Sequence, residues 1–218
     1  MRKLLISILA LLFVASYAHA ASLSGLYIEL GTSAVGTEMD GSYSDDDSDI
    51  SYGQVGKTAV TGSYGIGFMT SRDRPFSLDL GWAASPGSAK LNTTSDNTGS
   101  DVSIELSDMT ELYITAMGNI TEDASVYFKL GRSEVDTTVS STVTDPGDFS
   151  GDTVALGTVM SWGSNMYIRT EAGITDYNQI SATGKGTSAE NEGGIGTDVK
   201  VTADPTVHYG KIAIGFKF

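Results

Sequence analysis

Along eight stretches of this chain every second residue is apolar while the alternate positions are polar, small or aromatic. That period of two predicts β-strands with two unlike faces. The first stretch sets Leu26, Ile28 and Leu30 against Tyr27, Glu29 and Gly31. The second, near 59–69, sets Val60, Gly62, Tyr64, Ile66 and Phe68 against Thr61, Ser63, Gly65 and Gly67. Phe76, Leu78, Leu80 and Trp82 carry the third, Leu112, Ile114 and Ala116 the fourth, and Val126, Phe128 and Leu130 the fifth. The sixth runs over 153–162, the seventh carries Met166, Ile168, Thr170, Ala172 and Ile174, and the eighth ends the chain with Gly210, Ile212, Ile214, Phe216 and Phe218.

Short and long connections alternate between these stretches. The short ones fall at about 70–75, 119–123 and 163–165, and the long ones at roughly 36–56, 85–103, 135–151 and 176–205. A transmembrane β-barrel has this asymmetry, with tight turns on one rim, longer loops on the other and strands of about ten residues. The alternative is a soluble β-sandwich or lipocalin-like barrel with the apolar parity turned inward. Alternation alone does not separate the two. The loop lengths, the ionisable residues scattered among small and aromatic ones on the minority face, and the form of the last strand favour the membrane. The expected fold is all-β: an eight-stranded antiparallel transmembrane β-barrel with short periplasmic turns and four long extracellular loops. An even strand count puts both ends of the barrel on the periplasmic rim.

The first residues change the compartment. Arg2 and Lys3 precede an apolar run from Leu4 to Val14 and a small-residue site, Ala18-His19-Ala20. That order predicts a cleaved secretory signal over 1–20, since the run falls short of the roughly twenty residues a spanning helix needs. The barrel domain then occupies 21–218. Loss of Arg2 and Lys3 leaves 27 acids against 11 bases, or −16, which makes nucleic acid a poor partner. The chain has no cysteine, so disulfides and thiolate metal sites are excluded. No cofactor-binding motif is found.

With this export signal in place, the last ten residues, Tyr209-Gly-Lys-Ile-Ala-Ile-Gly-Phe-Lys-Phe218, resemble the terminal strand that outer-membrane assembly machinery recognises. Together with Ser24-Gly25-Leu26-Tyr27-Ile28 and Val126-Tyr127-Phe128-Lys129-Leu130-Gly131, they make residues 21–218 similar to the OmpA/OmpX-type and opacity-protein-like porin family. The resemblance implies the Gram-negative outer membrane, with Ile212, Ile214, Phe216 and Phe218 as the assembly signal. It also implies contact with outer-membrane lipids and lipopolysaccharide, and with an extracellular or host ligand through adhesion-like loops.

Eight strands enclose a lumen that side chains just fill, so charges inside must pair. The inward parity carries Glu29, Asp79, Glu111, Lys129, Arg169, Glu171, Lys211 and Lys217, four acids and four bases. This balance reads as a salt-bridged plug; its alternative is a narrow ion path. Outside, Trp82, Trp162, Tyr64 and Phe218 are candidates for interfacial aromatic girdles. The long segments hold six, two, three and five acids in chain order, against Lys90, Lys185 and Lys200. Asp45, Asp46, Asp47 and Asp49 form a weak calcium candidate, because the glycine and distal glutamate of an EF-hand are missing. A solvated acidic loop is the stronger reading, and bridging by divalent cations to lipopolysaccharide phosphates is the functional one. His208 is the one histidine left after cleavage and the only candidate base for a lipid-modifying enzyme, and no serine signature accompanies it. A structural or surface-interaction barrel is therefore the leading function, ahead of a small pore or transporter for ions or small solutes, and of a lipid-modifying enzyme.

Overall fold

A computed structural model describes residues 25–44, 49–70, 75–93, 102–140, 147–185 and 198–218. Nine strands are found: β1 (Gly25–Ser44), β2 (Asp49–Met69), β3 (Phe76–Thr93), β4 (Val102–Asn119), β5 (Ala124–Ser140), β6 (Phe149–Trp162), β7 (Met166–Tyr177), β8 (Ile180–Lys185) and β9 (Asp198–Lys217). Each pairs antiparallel with its neighbour, and β1 pairs with β9 from Tyr27↔Lys217 upward, which closes the sheet into a barrel. The predicted signal segment lies outside the described residues.

β8 is a continuation of β7 rather than a further strand of the wall. β7 pairs with β9 up to Asp176↔Thr206, and β8 resumes the same ladder at Ile180↔Ala203. Between them β9 carries Pro205, which has no N–H to donate. There Asn178 turns its N–H to the Ser150 carbonyl at 3.0 Å, and the Gln179 amide donates to Asp204 at 3.2 Å. The barrel wall is therefore eight-stranded.

The residues predicted as apolar on one face point outward and those on the other point inward. Leu30, Val60, Phe76, Leu112, Leu156 and Ile212 are exposed, while Tyr27, Asp79, Thr115, Tyr127, Val159 and Arg169 are buried. The short turns fall at the predicted places. Thr121 Oγ1 accepts the N–H groups of Asp123 and Ala124 at 3.2 and 3.0 Å, and Gly163 takes the left-handed conformation (φ 75°) that closes the 163–165 turn.

The segments predicted as long loops are largely strand. β1 and β2 stay paired to Ser44↔Asp49, and β3 and β4 to Thr93↔Val102. Beyond the lipid both faces of a strand meet water, so the alternation that marks a membrane strand fades while the hydrogen-bond ladder continues. β1, at 20 residues, is about twice as long as a bilayer crossing needs.

These extensions sort into two fins. β2 and β3 pair only from Tyr64↔Ala84 to Met69↔Asp79, so above that level β2 belongs with β1, β9 and β8, and β3 with β4 and β5. The second fin bends where its strands shift register, at Ser85/Ser88 in β3 and Ser107/Thr110 in β4. Asp108 sits at φ 50° in the β4 bulge, and the extra residue brings Met109 against an inward apolar group of Val135, Phe149, Tyr177 and Val207.

Candidate functional site

From the turn end upward, the inside of the barrel is layered. Tyr27, Met69, Met117, Tyr127, Val159 and Tyr167 form a buried cluster at the first level. These tyrosines fit because glycines face them across the ladder: Tyr27↔Gly67, Tyr113↔Gly81, Tyr127↔Gly157, Tyr167↔Gly215 and Tyr209↔Gly173. At Gly67, Gly81, Gly157 and Gly215 a Cβ would collide with the tyrosine ring or hydroxyl, so the missing side chain lets each ring lie across the partner strand.

Arg169, carried inward by β7, reaches the middle of the lumen with its side chain only 1% exposed. Its Nη2 donates to Asp79 Oδ2 at 2.7 Å, and its Nε lies 3.1 Å from Glu29 Oε2 as an ion pair. The ring centroids of Tyr27, Tyr113, Tyr127 and Tyr167 stand 5.4–5.9 Å from the guanidinium carbon, so π faces and carboxylates together replace its water. Tyr27 donates its hydroxyl to Asp79 Oδ1 at 2.7 Å and shares a 2.8 Å hydrogen bond with the Tyr113 hydroxyl. Glu29 is held further by Lys211 at 2.7 Å and by the Tyr167 hydroxyl at 3.2 Å.

One layer higher, Lys129 bridges two carboxylates. Its Nζ lies 2.5 Å from Glu171 Oε1 and 2.9 Å from Glu111 Oε2. Glu171 also accepts from Tyr127 (2.6 Å) and Tyr209 (2.8 Å), so both of its oxygens are occupied. Burying such a set is tolerable only because seven of the eight carboxylate oxygens of Glu29, Asp79, Glu111 and Glu171 have a donor or cation beside them. Lys217, also buried, sits six residues further along β9 from Lys211, about 20 Å toward the turn end.

Seven of the eight inward charges named from parity thus meet in one connected network, and the eighth lies below it. Parity did not reveal the tyrosines that complete the network. Their signal was present in the sequence as inward-parity Tyr residues, but the glycines opposite them become visible only once the register is known.

Above Lys129 the inward residues become small. A cavity of about 30 Å³ lies there, lined among others by Ser33, Ser63, Ser85, Glu111, Ser133 and Thr175. Val35, Met109 and Val207, from the apolar group that also holds Phe149, line it as well.

Of the other candidates, His208 faces outward, and its Nε2 lies 3.7 Å from Glu38 Oε2, with both side chains open to solvent. Asp45, Asp46 and Asp47 lie outside the described residues, and Asp49 begins β2. Among the described residues no group of three or more His, Asp or Glu is arranged to hold a metal ion. Ile212, Ile214, Phe216 and Phe218 all face outward, with Phe216 and Phe218 edge to face at 5.4 Å. Tyr64 and Trp82 form a second such pair at 6.0 Å, and Trp162 is exposed beside the 163–165 turn.

The fold resembles that of outer-membrane barrels of known structure. The crystal structure of the outer membrane protein OprG from Pseudomonas aeruginosa aligns with a TM-score of 0.58 at 16% identity, covering 92% of this chain and 99% of that one. The outer membrane protein AlkL, whose structure was determined by solid-state NMR in lipid bilayers, aligns with a TM-score of 0.52 at 14% identity, covering 92% and 95%. No curated protein matches the sequence. Residues 6–204 match the outer membrane protein beta-barrel domain family, and this chain belongs to that family of Gram-negative outer-membrane proteins.

Proposed function

We propose that this protein is a closed membrane anchor that presents its acidic hairpins at the cell surface for contact with an extracellular or host ligand, and that it carries no solute through its lumen. The observation behind this reading is the placement of Arg169, which is ion-paired with Asp79 on β3 and Glu29 on β1 and packed among four tyrosine rings, with the Lys129 bridge stacked above it. Opening such a plug would strand buried charges, which costs several kcal/mol per ion by the usual estimate (about 3–5 for one broken pair). The fins support the second half of the reading, because strands twice the needed length hold their tips well clear of the lipid on hydrogen-bonded supports.

The lipid partners follow from the outward face. Exposed Leu, Ile and Phe side chains suit the acyl chains, and Trp82, Trp162, Tyr64 and Phe218 suit the two interfaces. Residues 212–218 would serve the assembly machinery before they meet lipid. Nothing around His208 favours catalysis: Glu38 is its one ion-pair partner among the described residues, and the pair stands in solvent.

The experiment is single-channel recording in planar bilayers with the purified barrel, alongside adherence of cells that display it with full-length or trimmed fins. A silent barrel whose trimming abolishes adherence is expected. Persistent stepwise conductance in the unaltered protein overturns the closed-anchor reading in favour of a pore, and adherence indifferent to trimming overturns the surface role.

A further inference from the structure

The first fin, made of β1, β2, β8 and β9, narrows to a single regular ladder at one height. β1 and β9 stay in register from Tyr27↔Lys217 to Ser44↔Lys200. The two ladders that flank them do not. Between Met39↔Val55 and Gly41↔Tyr52, β1 advances two residues while β2 advances three, so β2 carries one residue too many beside Asp40. On the other side, between Asp176↔Thr206 and Ile180↔Ala203, the β7–β8 segment advances four residues while β9 advances three, which puts its extra residue beside Asp204 and Pro205. Asp40 and Asp204 are themselves cross-strand partners. Both irregularities therefore flank the same pair.

Three effects weaken the fin at that height. A bulge leaves its extra residue unpaired and disrupts the ladder around it, so among the described residues only the β1–β9 ladder crosses the line intact. Two like charges directly opposite each other destabilise that remaining ladder. Pro205, next along β9, has no N–H to give to either neighbour. Below the line β9 is held, since Pro205 is fully buried and Val207 belongs to the apolar group on which Val35 packs. Asp204 is exposed and accepts from the Gln179 side-chain amide at 3.2 Å. The second fin also shifts register, at Ser85/Ser88 and Ser107/Thr110, but its bend is braced. Met109 there packs against Val135, Phe149, Tyr177 and Val207, and the Tyr177 hydroxyl donates to its Sδ at 3.2 Å.

We propose that the line through Asp40 and Asp204 is a hinge, about which the outer part of the first fin (residues 41–44, 49–52, 180–185 and 198–203) swings as one unit while the second fin stands fixed. Hinges concentrate a change of φ and ψ in a few residues at the ends of regular segments, as here. The swing adjusts the direction in which the β1–β2 hairpin points from the membrane. It holds whether the lumen is closed or conducting, and whether or not this hairpin is the part that meets a ligand.

The test is spin labelling of the full barrel in lipid nanodiscs, where the absence of native cysteine leaves introduced ones as the only label sites. Double electron–electron resonance measures distances from Met160→Cys, on the exposed barrel wall, to Ser42→Cys in the first fin and to Thr138→Cys in the second. The Ser42 distribution should be about twofold broader than the Thr138 one, because collective bending is trapped on freezing as a spread of positions. Labels at Ser42→Cys and Ser181→Cys, two strands and about 10 Å apart, should give one well-defined continuous-wave interaction, because the fin moves as a unit. Deleting Gln54 removes the extra β2 residue, and together with Asp40→Asn it should narrow the Ser42 distribution to the Thr138 width. Equal widths in the two fins, a broad Ser42–Ser181 separation, or an unchanged width in the mended chain would each overturn the hinge. Should the mended chain fail to fold, the first two comparisons decide.

Discussion

Arg169 Nη2 stands 2.7 Å from Asp79 Oδ2, with the two side chains 1% and 0% exposed, so this ion pair joining β7 to β3 is sealed from water at both ends. Replacing Asp79 with Ala leaves the guanidinium with one carboxylate and removes the acceptor of the Tyr27 hydroxyl. The loss should be about 3–5 kcal/mol. Denaturant unfolding of the barrel in vesicles measures it, and a loss within 1 kcal/mol or so would mean that water enters the plug.

Arg132 and Asp152 make a salt bridge of almost equal length, 2.8 Å, on the outer surface, where the side chains are 51% and 77% exposed. Geometry alone would rank the two pairs together. Solvent screening does not, and Arg132→Ala should cost at most about 1 kcal/mol in the same unfolding assay.

Gly215 faces Tyr167, and a methyl group there would enter the ring. Gly215→Ala should therefore destabilise by about 1–3 kcal/mol, the usual cost of overpacking. Gly210, on the same strand but turned outward, has nothing within 4 Å of an added Cβ. Gly210→Ala should be neutral or slightly stabilising, and equal losses at both positions would refute the tyrosine–glycine account.

Deleting Phe218 removes the ring stacked on Phe216 but no lumen contact seen among the described residues. Assembly into the outer membrane of living cells should fall, while refolding of the purified chain into detergent and its unfolding midpoint should change little. Normal surface levels of the truncated chain would rule out the proposed signal role.

Much of the barrel was legible in the sequence because lipid imposes a simple rule: one face apolar, the other not, at every second residue. The rule located the short turns, the outward aromatics and all eight inward charges. It failed where its cause ends. Past Val60 on β2 or Trp82 on β3 the ladder continues through residues that look like loop. The pairing of the charges was hidden for a different reason. Asp79 and Arg169 are 90 residues apart and meet only because strand register brings β3 and β7 to the same depth. Glu111 was counted as one of a balanced set, and only the geometry shows that its second oxygen is left over.

The division of the outer strands into two fins gives the surface a modular character. One fin is stitched together by the β8–β9–β1–β2 ladders and the other by β3–β4–β5; among the described residues the β2–β3 ladder stops at Tyr64↔Ala84, and above it Thr61 Oγ1 donates to the Pro86 carbonyl at 3.4 Å. Residues inserted between Thr93 and Val102 would lengthen one fin without shifting a single register in the other. Each can then diverge at its own pace under selection by whatever the cell surface meets, while the buried network below holds the membrane part constant.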